Sequence, residues 1–115
     1  MSVVSAHISD VVNTDSGKSK YYVIACETQV PPRVWTIRKR YSEFHELYTQ
    51  VKKECREISL PPKLMRKPTE LELEQRRSGL DRFLSDVVQL LSKLSAKAYQ
   101  AIWEFLELNK NKHQR

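Results

Sequence analysis

Apolar and polar residues alternate along three early segments of the chain, the period of a half-buried β-strand. Residues 3–12 and 20–28 are rich in Val, Ile, Tyr and Thr, and Val34, Trp35 and Ile37 carry a third run over about 33–40. Asn13-Thr14-Asp15-Ser16-Gly17-Lys18 has turn composition and predicts a hairpin connection, while Gln29-Val30-Pro31-Pro32 breaks the chain before the third strand. Consecutive strands with short connections predict an antiparallel meander. After residue 40 the period changes. Phe44, Leu47, Tyr48, Val51 and Cys55 recur at helical spacing, behind Ser42 as N-cap, with Glu43 and Glu46 in a first turn that favours anions. A second helix is expected over about 69–92, with Leu80, Phe83, Leu84, Val87, Val88 and Leu91 on one face. A third, over about 96–108, carries Tyr99, Ile102, Trp103 and Leu106. Between the first two helices, Ser59-Leu60-Pro61-Pro62-Lys63-Leu64-Met65-Arg66-Lys67-Pro68 is a proline-punctuated loop in which helix is prevented. The expected fold class is α+β: a three-stranded antiparallel sheet packed against a helical subdomain, with a proline-rich loop between helices.

Length and charge narrow this picture. At 115 residues the chain suits one small domain with one core. Its net charge of +6 fits a phosphate-rich partner, but Lys110, Lys112 and Arg115 in the polar tail supply half of it. Placement therefore matters more than the total. Arg38-Lys39-Arg40 end the third strand and Tyr41 follows at once. Three adjacent like charges repel, so a stable fold keeps them near solvent or an anion. The neighbouring ring offers a flat face to a sugar-like ring. Together they predict an anion site with a stacking wall.

The second helix adds to it. At about 100° per residue, Arg76 and Arg77 fall within ~60° of the apolar stripe, one on each side. Either one of them points into a polar pocket beside the core, or the helix end has cleared the sheet. Periodicity does not choose between the two arginines.

Other chemistries fail on spacing. Gly17-Lys18-Ser19 resembles the end of a phosphate-binding P-loop, but that motif needs a glycine where Val12 stands. His45-Glu46 opens like a zinc-protease helix, yet Thr49 occupies the second histidine's place. His7, His45 and His113 show no metal spacing with either cysteine, and no nucleophile has a nearby histidine signature. No catalytic residue, metal or cofactor is expected. Cys26 and Cys55 sit among apolar neighbours and read as reduced, buried thiols of a cytosolic protein. No apolar run approaches the ~20 residues of a membrane span, and Met1-Ser2-Val3-Val4 lacks a signal peptide's pattern, so membrane contact should be peripheral. No P-x-x-P occurs to suggest an SH3 ligand. A nucleic-acid partner is not expected, because no helix carries a long basic face and no RNA-reading strand motif is present.

In order, these features resemble a phox-homology (PX) domain over nearly the whole chain. The resemblance rests on Arg38-Lys39-Arg40-Tyr41-Ser42-Glu43-Phe44-His45-Glu46-Leu47, on Leu60-Pro61-Pro62-Lys63, and on Glu74-Gln75-Arg76-Arg77-Ser78-Gly79-Leu80-Asp81-Arg82-Phe83-Leu84. One departure is Leu64, where the family's loop often has a further proline. The resemblance implies a PX domain over residues 1–108, followed by a polar basic tail or linker at 109–115. It implies a non-enzymatic module that binds phosphatidylinositol 3-phosphate on endosomal or vacuolar membranes; the alternative is a protein-interaction module of the same fold with weak or no lipid specificity. By motif, Arg40 would grip the 3-phosphate, Tyr41 would stack beneath the inositol ring and Lys63 would meet the 1-phosphate. Arg77 would hydrogen-bond the 4- and 5-hydroxyls. Leu64 and Met65, flanked by cations on a stiff loop, suit insertion into the lipid interface. Arg38, Lys39, Arg66 and Lys67 suit general attraction to anionic lipid, worth ~1 kcal/mol per cation near the surface. The isolated domain is expected to be monomeric.

Overall fold

The computed structural model describes residues 4–13, 20–63 and 66–108. The predicted hairpin turn, Leu64, Met65 and the tail from Asn109 lie outside them. Three strands, β1 (Val4–Asn13), β2 (Lys20–Gln29) and β3 (Pro32–Lys39), pair antiparallel in the order β1-β2-β3. This is the meander that the strand spacing predicts. Ile8, Ile24 and Ile37 fall in register across all three strands and are buried, so the alternation seen in the sequence sets one core-facing surface. A bulge between Ile8 and Asp10 interrupts the β1–β2 pairing, and beside it the Ile8 N–H donates to Asp81 Oδ1 at 2.7 Å.

Three α-helices cover that surface: α1 (Tyr41–Val51), α2 (Glu70–Gln89) and α3 (Ala96–Phe105), with a 3-10 turn at Leu91–Lys93 ahead of the last. Their buried faces follow the stripes read from the sequence: Phe44, Leu47 and Val51 on α1, and Leu80, Phe83, Leu84 and Val87 on α2. Phe44 is fully buried at the centre, and its ring meets those of Tyr22, Phe83 and Phe105 at 5.9, 6.4 and 5.2 Å. Edge-on contacts of this kind are worth about 0.5–1.5 kcal/mol each beyond the area they bury. The α3 stripe is rotated from expectation: Ala98, Ile102 and Phe105 are its buried residues, and Tyr99 and Trp103 are only half-buried.

Caps fix the helix starts. Thr69 Oγ1 accepts from the Glu72 N–H while the Glu72 carboxylate takes the Thr69 N–H, a reciprocal pair that starts α2. Ser95 Oγ accepts from the Ala98 N–H and donates to Glu54 Oε2, so the α3 cap also ties this helix to the turn after α1. The α1 cap is Arg40 rather than Ser42, because Glu43 reaches back to the Arg40 N–H at 2.9 Å and thereby sets the first turn two residues earlier. Cys26 and Cys55 are free and buried, as expected.

Candidate functional site

The β3–α1 junction, the proline loop and the N-terminal half of α2 meet around Tyr41. Arg40 sits at the junction in extended backbone, and its carbonyl accepts the Glu43 and Phe44 N–H groups. A good capping side chain would offer an acceptor there, and arginine has none. Its guanidinium is exposed and makes no hydrogen bond among the described residues. A cation beside the positive end of a helix is locally unfavourable, but guanidinium and helix terminus together favour an anion placed between them. Local stability is given up where an anion would be held.

Tyr41 is half-buried, and its hydroxyl donates to the Pro61 carbonyl at 2.5 Å, joining α1 to the loop. The Arg76 guanidinium carbon lies over its ring, 4.9 Å from the centre. The Arg76 charge also lies close enough to act on the hydroxyl of Tyr22, which is buried on β2. Burial pushes the Tyr22 and Tyr41 hydroxyls above the ordinary phenol value, and the nearby Arg76 charge opposes that rise at both.

Arg77 points elsewhere. It pairs with Glu74, its Nε 3.2 Å from each carboxylate oxygen and its terminal nitrogen hydrogen-bonded to Oε2. That bonding raises the Arg77 pKa and lowers that of Glu74. In this structure Arg76, rather than the expected Arg77, is the arginine against the Tyr41 ring. Adjacent helix residues are separated by about 100°, and the α2 orientation turns the first of them inward.

Lys63 is exposed on the loop and, with Tyr41, Ser42, His45, Tyr48 and Pro61, lines a shallow cavity of about 420 Å³. Of the cations expected at the surface, Arg38 and Lys67 are exposed. Arg66 is exposed too, but it is held by the Glu72 carboxylate through two bonds of 2.8 and 2.6 Å. Lys39 departs from expectation. Its side chain is only 11% exposed, its Nζ lies 5.1 Å from the Phe105 ring centre, and Glu107 and Glu43 oxygens lie 3.4 and 3.9 Å away. Glu107 reaches it from a left-handed residue, φ 58°, just beyond α3. Lys39 is thus enclosed by packing and ion-pair contacts, unlike the exposed Arg38 beside it. Strand parity carried the signal, since residues 35, 37 and 39 share the inward face.

Tyr22 is the site residue that the sequence reading missed. It pairs with Lys39 across β2 and β3, which places it next to the cationic cluster. A second cavity of about 470 Å³, lined by Val4, Trp35, Val88, Tyr99 and Trp103 among others, opens toward the β2–β3 turn. It lies toward the far end of β3 from Arg40, with Arg33 and Trp35 on its wall. Of the site cations, Lys63 lines the first cavity, beside Tyr41. Among the described residues no group of acidic, histidine or cysteine side chains could hold a metal.

Comparison with known proteins places the chain in a family. The PX domain family model matches residues 29–109. Human sorting nexin-24 is 38% identical over 68 residues, which cover 59% of this chain and 40% of that protein. Human sorting nexin-22 is 30% identical over 93 residues, covering 81% of this chain and 46% of that protein. The chain thus spans less than half the length of these curated relatives. The crystal structure of the mouse SNX19 PX domain with bound sulphate ion superposes on 95% of this chain and 100% of that one, with a TM-score of 0.70 at 22% identity, a likeness of fold. Since the matched stretch runs through β3, the proline loop and all three helices, the chain belongs to the PX domain family.

Proposed function

We propose that this chain is a phosphoinositide-binding membrane-targeting module that recognises phosphatidylinositol 3-phosphate on endosomal or vacuolar membranes. The observation that carries the reading is the Arg76 guanidinium over the Tyr41 ring, with the exposed Arg40 as the residue just before it at the start of α1. Arginine's planar fork matches phosphate oxygens through two charge-assisted bonds, which suits Arg40 to the 3-phosphate. Lys63, a looser point charge across the cavity, meets the 1-phosphate. An inositol ring settling on Tyr41 displaces the Arg76 guanidinium from the ring face onto the 4- and 5-hydroxyls. Unmodified hydroxyls can accept those bonds, whereas further phosphates there would need further cations. Arg38 and Lys67 add attraction to anionic lipid. Leu64 and Met65, outside the described residues, supply an apolar tip for the lipid interface.

Liposome sedimentation across a phosphoinositide panel, at two salt concentrations, tests the reading. Preference for the 3-phosphate that survives higher salt, and is lost in a folded Arg40→Ala variant, is the expected result. Binding explained wholly by lipid charge, or none at all, would overturn it. A Leu64→Ala/Met65→Ala double variant should bind soluble headgroup normally but liposomes weakly.

A further inference from the structure

Resting on that reading, we propose that Tyr41, Pro61 and Gly79 form a latch that sets the width of the headgroup site, with Gly79 and the Tyr41 hydroxyl as its positioning groups. Gly79 stands inside α2, where glycine costs roughly 1 kcal/mol of helix stability relative to alanine. The reason lies in the loop. A Cβ at Gly79 would fall 2.5 Å from Pro61 Cγ, 3.3 Å from Cδ and 3.6 Å from Cβ. The Pro61 ring therefore rests directly on the helix backbone, in space that any other side chain would fill. From the opposite side the Pro61 carbonyl accepts the Tyr41 hydroxyl at 2.5 Å. Pro61 is thus clasped between the backbone of α2 and the first residue of α1.

Each clasping group sits beside a proposed ligand contact. Arg76 lies three residues before Gly79, on the same side of α2, and Lys63 lies two residues after Pro61. Moving Pro61 off the helix therefore shifts Lys63 and the Tyr41 ring relative to Arg76. Relieving the Cβ contact requires a displacement of about 1 Å, the scale at which a bound geometry loses much of its advantage. Ring stacking alone would accept phenylalanine at position 41. The latch gives the hydroxyl a separate task.

The test titrates a soluble short-chain phosphatidylinositol 3-phosphate into the chain by calorimetry, with circular dichroism to follow folding. Gly79→Ala should stay folded, since alanine favours helix, yet bind at least about fivefold more weakly. Pro61→Ala removes the atoms that a new Cβ would strike. The Gly79→Ala/Pro61→Ala double variant should therefore bind within about twofold of Pro61→Ala alone, a rescue that general destabilisation would not give. Tyr41→Phe, which leaves α2 untouched, should weaken binding about threefold or more, and it decides the matter should Gly79→Ala fail to fold. Wild-type affinity in folded Gly79→Ala or in Tyr41→Phe, or no rescue in the double variant, would overturn the latch. Arg40→Ala separates the two claims. If Arg40→Ala loses binding while the latch variants keep it, the latch alone falls; if Arg40→Ala binds as wild type does, the headgroup reading falls.

Discussion

The Arg76 guanidinium lies 4.9 Å from the centre of the Tyr41 ring, while the next residue along α2, Arg77, turns back onto Glu74. A cation over a ring contributes about 0.5–2 kcal/mol, more as the site is desolvated. Here the same charge also opposes the rise that burial gives the Tyr22 hydroxyl.

The two arginines should therefore separate in a binding assay. Hydrogen bonds from a charged group are worth roughly 1.5–3 kcal/mol, so Arg76→Ala should weaken soluble headgroup binding about tenfold or more. Arg77→Ala removes an exposed pair and should stay within about twofold. Calorimetric titration of both variants checks the contrast, and equal losses would return Arg77 to the site.

Acid should act on the loop's tether. Glu72 is held down at about 2, first by the Arg66 side chain and then by the Thr69 N–H. Its folded pKa lies below the unfolded value of ~4.3, so the stabilisation is in place above about pH 4.3 and is lost as pH falls toward 2. A carboxyl titration followed by NMR should place the Glu72 midpoint near the lower value. Arg66→Ala should move it upward but not fully to the ordinary one, because Thr69 remains. An unchanged midpoint in Arg66→Ala would contradict the bidentate pair.

Lys39 should behave as a packing residue. Lys39→Ala removes the cation over Phe105 and leaves Glu107, 28% exposed, without that charge partner. A loss of about 1–2 kcal/mol is expected. For a domain of this size that lowers Tm by roughly 5–10 °C. Headgroup affinity should stay within about twofold, in contrast to Arg40→Ala. A headgroup defect with unchanged Tm would place Lys39 in the site after all.

Much of this was legible in the sequence, for reasons that differ residue by residue. Period-2 and period-3.6 patterns located the strands and helices, because Ile8, Ile24 and Ile37 or Phe44, Leu47 and Val51 must share a face to be buried. Arg40, Tyr41 and Lys63 were visible as a cluster and a loop, and their meeting in space depended on how the chain turns. Arg76 and Arg77 could not be separated by periodicity, since both flank the stripe, and the resemblance pointed to Arg77; in the structure Arg76 lies over Tyr41 and Arg77 pairs with Glu74. Ser42 looked like the better cap, and the acidic side chain of Glu43 overrode it. The enclosure of Lys39 was readable in strand parity: three adjacent cations on a strand cannot all face one way.

The carboxylate of Asp81 has a consequence at the margin of the sheet. β1 is an outer strand of this three-stranded sheet, and such strands are templates for another chain. Asp81 already occupies the Ile8 N–H, and the adjacent bulge breaks the even spacing of the donors beyond it. A strand arriving from a second copy would find the Ile8 donor already taken by an acidic side chain of α2, so pairing along this edge is interrupted at that point.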